Sequence, residues 1–225
     1  MTRLIFITGT DTGIGKTFLT VLLTRFLRAQ KRNVAALKPF CSGGRDDAEA
    51  LHAALDGTLS LDEINPWHFH NPVAPLLAAR EEKLRINLDQ TVKCIRDIRK
   101  CFAITLVEGA GGLLSPLGES FDSRDLIYAL RAVPVIVGSN RLGVINQVRL
   151  TLGALSKSSS TQAQIVLMSP RISDSSTETN VKLLGEFVSQ KQIHLLPWIA
   201  SKHQSTAPPV RKGIERLLRN ISLPG

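Results

Sequence analysis

Residues 9–17 read Gly-Thr-Asp-Thr-Gly-Ile-Gly-Lys-Thr and follow directly on the apolar run Leu4–Ile7. A buried strand, a glycine-rich turn and a Gly-Lys-Thr that opens a helix together form a cradle for phosphate, because backbone N–H groups and the helix N-terminus face the anion. In such a cradle the lysine neutralises charge on the β- and γ-phosphates, and the threonine hydroxyl ligates Mg²⁺. The stretch therefore predicts that Lys16 and Thr17 bind the phosphates and the metal ion of a nucleoside triphosphate.

One spacing in this stretch is unusual. The common pattern, G-x-x-x-x-G-K-[ST], places its first glycine at Thr10, whereas this chain carries Gly9 one residue earlier. The alternative interpretation is an ordinary strand-to-helix turn that happens to contain Gly-Lys-Thr. The strand before the turn and the apolar-periodic helix after it, which begins with Phe18 and Val21, favour the phosphate cradle.

The composition is that of an ordinary globular chain. Of 225 residues, 43% are hydrophobic and 21% are charged, which favours one α/β domain over residues 1–225 with a sizeable core. No apolar run approaches the ~20 residues that span a bilayer, and the N-terminal run is too short for a signal peptide. We therefore expect a cytoplasmic protein without a membrane partner. The cysteines, Cys41, Cys94 and Cys101, lack C-x-x-C spacing and predict reduced thiols, not a disulfide or a zinc site.

The chain is basic, with 28 Lys and Arg against 19 Asp and Glu and a formal net charge of +9. The excess forms modest clusters at 80–100 and 202–219, and neither cluster is interleaved with aromatic residues. A nucleic-acid surface and solvated helix faces both produce such clusters, and the missing aromatic residues favour solvated helix faces. We therefore expect no nucleic-acid partner.

Short apolar runs rich in β-branched residues alternate with helical patterns along the chain. Strands that are apolar on both faces and alternate with helices predict an α/β fold, with one mostly parallel sheet flanked by helices on both faces. The predicted strands are Leu4–Thr8, Val34–Leu37, Ile104–Val107, Val133–Val137, Ile165–Met168 and Ile193–Leu196. The predicted helices are Lys16–Gln30, Asp46–Leu55, Leu88–Lys100, Asp122–Ala132, Val144–Ser156, Thr177–Gln190 and Pro208–Asn220. Three segments are predicted to be irregular or flexible loops: Asp56–Arg85, Ser156–Thr161 and Ser173–Thr179.

Three charged groups follow strands of the predicted sheet. The phosphate cradle with Lys16 follows the first strand, Lys38 follows the second, and Glu108 follows Ile104–Val107. Because ligands of parallel sheets bind at the carboxyl ends of the strands, we expect these groups to meet at one edge of the sheet. We also expect neither lysine side chain to lie in the core.

Five blocks of sequence, taken in order, resemble the dethiobiotin synthetases, the ATP-dependent ring-closing enzymes of biotin synthesis. The blocks are residues 9–17, Lys-Pro-Phe-Cys-Ser-Gly at 38–43, Asp-Asp-Ala at 46–48, Val-Glu-Gly-Ala-Gly-Gly at 107–112 and Leu-Gly-Val-Ile-Asn at 142–146. The likeness runs from the N-terminus to about Trp198. It implies a fold of the P-loop NTPase type, a homodimer and the activity of an ATP-dependent cyclo-ligase.

The resemblance implies a reaction in three parts, with ATP and Mg²⁺ as nucleotide and metal ion. One amine of diaminopelargonate (7,8-diaminononanoate) takes up CO₂, drawn from bicarbonate, as a carbamate. ATP then phosphorylates the carbamate to a carbamic–phosphoric anhydride. The second amine attacks the carbamate carbon, which closes the cyclic urea of dethiobiotin and releases phosphate.

The resemblance also implies roles for individual residues. Lys16 and Lys38 are implied to be catalytic, and the implied Mg²⁺ ligands are Thr17, Asp47 and Glu108. The adjacent Asp46 is expected to be the N-cap of the helix, although it is also an alternative ligand. The residues implied to bind the nucleotide are Thr12, Gly13, Ile14, Gly15, Lys16, Thr17, Phe18, Asp47, Glu108, Gly109, Ala110, Gly111, Ser169, Pro197, Trp198 and Ile199.

The substrate site is implied to draw on residues from several parts of the chain. They are Thr12, Ser42, Gly143, Val144, Ile145 and Asn146. In the family, the helix that Gly143–Asn146 opens reaches the substrate tail of the neighbouring subunit. Ser169 stands where the family usually carries an asparagine that reads adenine, so the preference among ATP, CTP and GTP stays open.

Two other classes of protein share a cradle of this kind. A related amide-forming synthetase that acts on a corrinoid usually carries a glutaminase domain, for which we expect no room in this chain. A positioning ATPase of the partition or septum-site kind carries a signature lysine early in the cradle, where this chain has Asp11. It also lacks the pair of blocks at 38–39 and 108–111. The sequence favours the ring-closing ligase over both.

Overall fold

The computed structural model describes residues 2–199, 207–221 and 223, along which strands and helices alternate. The strands are β1 (Arg3–Gly9), β2 (Val34–Leu37), β3 (Phe40–Ser42), β4 (Trp67–Phe69), β5 (Ile104–Glu108), β6 (Pro116–Gly118), β7 (Phe121–Asp122), β8 (Val133–Ser139), β9 (Gln164–Met168) and β10 (Ile193–Leu196). The helices are α1 (Lys16–Ala29), α2 (Asp46–Ala54), α3 (Leu61–Ile64), α4 (Pro75–Glu81), α5 (Leu88–Arg99), α6 (Ser123–Leu130), α7 (Val144–Ala154), α8 (Lys157–Gln162), α9 (Ser175–Leu184) and α10 (Pro208–Ile221).

Six strands form the main sheet in the order β10-β9-β8-β1-β5-β2, and all neighbouring strands run parallel. The predicted α/β fold with a parallel sheet is therefore confirmed. From β1 the chain passes to the β2 edge, returns through β5, and then crosses to β8 on the other side of β1. The strand order thus reverses beside β1, which is where open α/β sheets bind ligands at the carboxyl ends of their strands.

Helices cover both faces of this sheet. Every residue of β2 and β5 is buried, and β1 and β8 are buried apart from one terminal residue each. Successive side chains of a strand point to opposite faces, so burial of both sets requires cover on both faces. Helix α1 packs against β1, β2 and β5, while α5 and α6 pack against each other and against β2 and β1 respectively.

The helix α10 covers the sheet beside β9 and β10. Its apolar side chains are buried there, namely Val210, Ile214, Leu217, Leu218 and Ile221, so its apolar face is used within the fold. Within the described part of the chain, none of the helices combines the length and the apolar character that a membrane span requires.

The prediction of flexible loops in the two Ser/Thr-rich patches is wrong. Residues 157–162 form α8, and the side chain of Ser156 accepts a hydrogen bond from the Ser159 N–H at its start. In the second patch, Asp174 caps α9 by accepting bonds from the N–H groups of Ser176 and Thr177. The polar side chains that favour a loop in the sequence instead satisfy the N–H groups that a helix N-terminus leaves free.

The segment Asp56–Arg85, predicted to be irregular, contains α3, β4 and α4. Helix α3 begins with a capping box between Ser60 and Glu63. Strand β4 pairs with β3 in a small parallel sheet, and the Lys38 N–H donates a hydrogen bond of 2.9 Å to the Ile64 carbonyl. These bonds attach the segment to the end of β2, so it lies against the carboxyl ends of the main strands.

One buried side chain of the sheet makes the stability of the fold depend on pH. His194 on β10 is 2% exposed, and its Nε2 lies 2.9 Å from Oε1 of Gln164 on β9. Its Nδ1 is buried without a partner. Burial, with a smaller contribution from the charge of Arg216, lowers the pKa of His194 from 6.5 to about 4. The folded protein therefore keeps this imidazole neutral where the unfolded chain protonates it.

We expect the free energy of unfolding to fall as the pH drops from 6.5 toward 4, because only the unfolded state takes up the proton of His194 in that window. Protonation of His194 in the unfolded state lowers the free energy of unfolding by about 2–3 kcal/mol at the acid end of this window. In His194→Gln this part of the pH dependence should disappear, so its melting temperature should fall less steeply than that of the wild type. Thermal unfolding over this pH range checks the prediction, and parallel curves for the two proteins would contradict it.

Candidate active site

A cavity of about 660 Å³ opens at the carboxyl ends of β1, β2 and β5. The phosphate cradle, the end of β2, strand β3 and the turn after β5 each contribute to its wall. The residues expected from the sequence that line it are Thr12, Gly13, Gly15, Lys16, Thr17, Lys38, Ser42, Asp47, Glu108, Ala110 and Gly111. The predicted meeting of Lys16, Lys38 and Glu108 at one edge of the sheet is therefore confirmed.

The cradle itself explains the early glycine. A Cβ built on Gly9 would lie 2.5 Å from Cδ1 of Ile14 and 3.2 Å from the Asp11 carbonyl oxygen, so the loop folds back on the strand end and leaves no space for a side chain. Gly15 precedes α1 with φ 98°, in the left-handed region that glycine adopts without strain. No side chain caps α1, so the N–H groups of its first turn face the cavity free for an anion.

The Lys16 side chain lies within the cradle and is only 7% exposed. Its Nζ donates a hydrogen bond of 2.7 Å to the Asp11 carbonyl oxygen. Burial, together with the nearby positive charge of Lys38, lowers the pKa of Lys16 to about 8. An anion bound in the cradle would raise the pKa of Lys16 again, because it adds negative charge beside the ammonium group.

Lys38, Glu108 and Asp47 form an ion cluster in which the first two side chains are buried and Asp47 is half-exposed. The Lys38 Nζ lies 2.7 Å from Glu108 Oε1 and 3.0 Å from Asp47 Oδ2, and it also donates to the Gly109 carbonyl oxygen at 3.2 Å. Lys38 is 5% exposed and Glu108 is 1% exposed. Burial acts to lower the pKa of Lys38, but the two carboxylates outweigh it and raise this pKa well above its ordinary value. Lys38 is therefore a fixed positive charge in the cavity wall.

The expectation that neither lysine lies in the core is wrong, since both side chains are buried. Burial of an ammonium group is costly unless charged or polar partners replace its hydration. For Lys38 those partners come from α2 and β5, which lie 9 and 70 positions along the chain. A pattern of residues near position 38 does not contain that information.

Three oxygen-bearing side chains meet beside the cradle. The Thr17 hydroxyl donates a hydrogen bond of 2.6 Å to Glu108 Oε1, the same oxygen that Lys38 contacts. The other oxygen of Glu108, Oε2, is buried without a partner. Burial acts to raise the pKa of Asp47, but the charge and hydrogen bond of Lys38 outweigh it and hold this pKa below its ordinary value. Both carboxylates thus point into the cavity as potential ligands.

The expected division between Asp46 and Asp47 is only partly seen. Helix α2 begins at Asp46 itself, its N-cap is Arg45, and no side chain makes a capping hydrogen bond there. The prediction of Asp46 as the N-cap is therefore wrong. Asp46 is exposed in the first turn, whereas Asp47 lines the cavity and pairs with Lys38.

A buried asparagine that the sequence did not single out holds the end of β2 in place. The Asn65 amide donates to the carbonyl oxygens of Lys38 at 2.9 Å, of Pro39 at 3.3 Å and of Trp67 at 3.2 Å. Its own Oδ1 accepts a 3.0 Å bond from Arg45 Nε. Asn65 is fully buried, so these bonds form away from water and fix the backbone from which the Lys38 side chain projects.

The turn after β5 is glycine-rich for two different reasons. A Cβ on Gly109 would lie 2.9 Å from Ser123 Oγ and 3.1 Å from the Phe6 ring, so packing behind the turn excludes a side chain. Gly111 has φ 68° and faces the cavity. The turn is closed by Ser115, whose Oγ accepts a 2.9 Å bond from the next N–H of the turn.

A second part of the cavity wall is largely apolar. It is formed by Phe40, Cys41 and the Pro72–Pro75 stretch of the middle segment, with Ser42 as a polar group whose buried Oγ has no partner. Burial raises the pKa of the Cys41 thiol to about 11, so it is no nucleophile at neutral pH. Cys41 is free, as are Cys94 and Cys101.

Several residues expected in the site do not line this cavity. Ile14, Phe18 and Gly109 lie around the cradle and the β5 turn, and Gly109 contributes only its carbonyl. Ser169 and the 197–199 stretch follow the ends of β9 and β10, where the Ser169 N–H donates a 2.9 Å bond to the Leu196 carbonyl. Gly143 precedes α7 with φ 93°, and none of residues 143–146 lines the cavity.

Curated proteins and a family model are similar to the chain over most of its length. Residues 3–206 match the family model of an AAA domain. The ATP-dependent dethiobiotin synthetase BioD of Anaeromyxobacter dehalogenans is 37% identical over 202 residues, which cover 87% of this chain and 90% of that protein. The proteins of the same name from Bacillus licheniformis and Methanococcus vannielii are 41% and 33% identical, over 65% and 73% of this chain and 64% and 78% of their own lengths.

Solved structures that resemble the chain share its fold at low sequence identity. The MinC:MinD cell division protein complex of Aquifex aeolicus matches with a TM-score of 0.62 at 16% identity, over 100% of this chain and 98% of that chain. The pNOB8 ParA bound to nonspecific DNA matches with a TM-score of 0.59 at 11% identity, over 98% and 99% of the two chains. The curated relatives are far closer in sequence, and the chain belongs to the dethiobiotin synthetase family of ATP-dependent ligases.

Proposed function

We propose that the protein closes the ring of dethiobiotin in the cytoplasm, from 7,8-diaminononanoate, CO₂ and ATP, as a step of biotin biosynthesis. The observation that carries the proposal is the cavity beside the phosphate cradle, which Lys16, Lys38, Asp47 and Glu108 line together. Family membership supports an ATP-dependent ligase, and these four charged side chains are of the kinds that phosphoryl transfer to a carbamate would use.

The reaction forms and breaks bonds in three steps. An amine nitrogen attacks CO₂ and loses a proton, which leaves a carbamate. A carbamate oxygen attacks the γ-phosphorus of ATP, ADP departs, and a carbamic–phosphoric anhydride remains. The second amine attacks the carbamate carbon, phosphate departs with the C–O bond electrons, and loss of the amine proton leaves the cyclic urea.

The nucleotide end of the cavity suits a triphosphate with Mg²⁺. Thr17, Asp47 and Glu108 offer the hard oxygen ligands that Mg²⁺ prefers, and the unpartnered Glu108 Oε2 is a buried acceptor that such an ion would satisfy. Among the described residues, no three His, Cys, Asp or Glu side chains gather into a metal site, but Mg²⁺ is commonly held by one or two carboxylates with phosphate and water. When bound, the ion would neutralise charge on the transferring phosphoryl group.

The two lysines would have separate tasks in the proposed reaction. Lys16, inside the cradle, is placed to meet the β- and γ-phosphates once its bond to the Asp11 carbonyl is exchanged for them. Lys38, in contact with Glu108, would meet the carbamate oxygens and the charge that develops on the γ-phosphoryl group. Fixed positive charge in a buried site stabilises such a transition state because little reorganisation is needed.

The apolar wall would receive the aliphatic part of the diamine acid. Phe40, Cys41 and Pro72–Pro75 offer no charge to a chain of methylene groups, and the unpartnered Ser42 Oγ is a donor for the carbamate or an amine at the polar end. Thr12 and Gly13 lie where the cradle meets this space. The substrate would thus lie with its reacting nitrogens toward Lys38 and its chain along the wall.

The nucleoside would extend from the cradle toward the ends of β9 and β10. The contributors proposed there are Ile14, Phe18, Ser169 and residues 197–199, among which Trp198 is 52% exposed and available to a base. Gly109, Ala110 and Gly111 would border the phosphates through their backbone. The Ser169 side chain is shorter than the asparagine usual in the family, so the base preference of this chain stays open.

A homodimer would complete the substrate site. The start of α7, Gly143–Asn146, lies outside this chain's own cavity; no side chain caps it, and the Val144 N–H is bonded to the Arg141 carbonyl while those of Ile145 and Asn146 are free. Such N–H groups suit a carboxylate, so we propose that they bind the substrate tail of the neighbouring subunit. Leu114 and Leu150, which are 53% and 67% exposed and line one groove, are apolar surface that such an interface would cover.

The overall reaction is tested with purified protein, 7,8-diaminononanoate, bicarbonate, Mg²⁺ and ATP. We expect one phosphate released per cyclic urea formed, because the anhydride commits each phosphoryl group to ring closure. Phosphate release and dethiobiotin are measured in the same samples. Phosphate release that does not respond to the diamine would instead favour a positioning ATPase.

Lys38→Ala should lower kcat by about a hundred-fold or more, because it removes a fixed charge that faces the transferring group. The variant should also melt at a lower temperature, since Glu108 and Asp47 lose their buried counter-charge. Steady-state kinetics at saturating Mg-ATP and a melting curve check both effects. Lys93→Ala, an exposed lysine paired only with Asp97, is the matched control and should change neither. A normal kcat for Lys38→Ala would refute the role.

Asp47→Asn should raise the Mg²⁺ concentration needed for half-maximal activity by at least about tenfold, the scale on which weakened ligand shells lose metal affinity. Asp46→Asn is the paired control, because the neighbouring carboxylate is exposed and lies outside the cavity. Activity is titrated with Mg²⁺ at constant ATP for both variants. Equal shifts in the two variants would show that Asp47 is not a ligand.

A further inference from the structure

Lys38 contacts both of the carboxylates that are proposed to bind the metal ion. Its Nζ lies 2.7 Å from Glu108 Oε1 and 3.0 Å from Asp47 Oδ2. The Thr17 hydroxyl donates to that same Oε1 at 2.6 Å. A divalent cation bound to the free Glu108 Oε2 and to Asp47 would lie close to this ammonium group, where two positive charges repel each other.

The electrostatics of the cluster make a cation there necessary. Glu108 is 1% exposed, and the half-exposed Asp47 is held close to it by their shared contact with Lys38, so without a cation a buried carboxylate would face a second negative charge. Such an arrangement is strongly unfavourable in a buried site. Lys38 supplies the positive charge, while Lys16 is turned away to the Asp11 carbonyl and touches neither carboxylate.

We propose that the Lys38 ammonium is an internal cation that takes the place of the divalent ion in the nucleotide-free protein. Arrival of the ion displaces Lys38 from Asp47 and Glu108 and releases its charge toward the apolar wall, where the substrate is proposed to lie. The inference rests on the proposed function only through the assignment of Thr17, Asp47 and Glu108 as metal ligands. It also sets an order of binding, because Lys38 becomes free for an anion of the substrate only after the metal ion is bound.

The inference is tested by metal binding to the nucleotide-free protein, without substrate. Free Mn²⁺ is measured by electron paramagnetic resonance as the metal is titrated into wild type, Lys38→Met and Lys16→Met. Because a competing charge in direct contact with the ligands is removed, Lys38→Met should bind Mn²⁺ at least about tenfold more tightly than the wild type. Lys16→Met removes an equal charge from the same cavity without touching the carboxylates, so it should change the affinity by about threefold or less.

Two results would overturn the inference. The first is a Lys38→Met protein that binds Mn²⁺ no more tightly than the wild type. The second is an equal gain in both variants, which would reflect the general field of the cavity and not occupancy of the ligands by Lys38. If Lys38→Met does not fold, Lys38→Gln replaces it, because its amide can still donate a hydrogen bond to Glu108 without carrying charge.

The outcome is separate from that of the ring-closing assay. If the wild type forms no dethiobiotin but Lys38→Met still binds Mn²⁺ about tenfold more tightly, the proposed reaction is refuted and the internal cation is supported. If the wild type forms dethiobiotin but neither lysine variant binds Mn²⁺ more tightly, only the internal cation is refuted.

Discussion

The ion pair between Lys38 and Glu108 is the interaction on which the rest of the site depends. It joins two neighbouring strands, β2 and β5, at their carboxyl ends, with an N–O distance of 2.7 Å and both side chains almost completely buried. A buried pair is tolerated only where further hydrogen bonds satisfy its remaining polar atoms. Here Asp47, Thr17 and the Gly109 carbonyl supply them, but Glu108 Oε2 stays unpartnered. A buried oxygen without a partner calls for an explanation, and it supports the proposal that the cluster binds a ligand.

The surrounding fold holds this pair by packing and by backbone hydrogen bonds. Asn65 bonds the Lys38 and Pro39 carbonyls from one side, and on the other side Phe6 and Ser123 leave no room for a side chain on Gly109. The lysine therefore projects from a fixed backbone and the glutamate from the interior of the sheet. A site that works through positioning and electrostatics depends on a backbone held in this way.

The features that were predicted correctly are those that short, contiguous stretches of sequence determine. The run Leu4–Ile7, the cradle and the start of α1 are contiguous, and parallel strands bring their carboxyl ends together, so the meeting of Lys16, Lys38 and Glu108 followed from strand order alone. The burial of Lys38 did not follow, because its partners lie far along the chain. Asn65 was missed because a single asparagine in a proline-containing segment carries no pattern. The helix α8 was missed because a serine that caps a helix also favours a loop.

The fold by itself does not decide what the protein does. MinD and ParA structures match nearly the whole chain at 11–16% identity, and at that distance the likeness reaches the backbone and not the site. What separates a ligase from a switch is the cavity beside the cradle: a switch needs only the nucleotide and a surface that responds to it. Here the cavity is lined by the apolar Phe40 and Pro72–Pro75 as well as by Lys38, while the apolar face of α10 is already buried on the sheet. A buried charge and an apolar lining in one cavity suit a molecule with one polar and one aliphatic end, which supports the proposed diamine acid over a nucleotide alone.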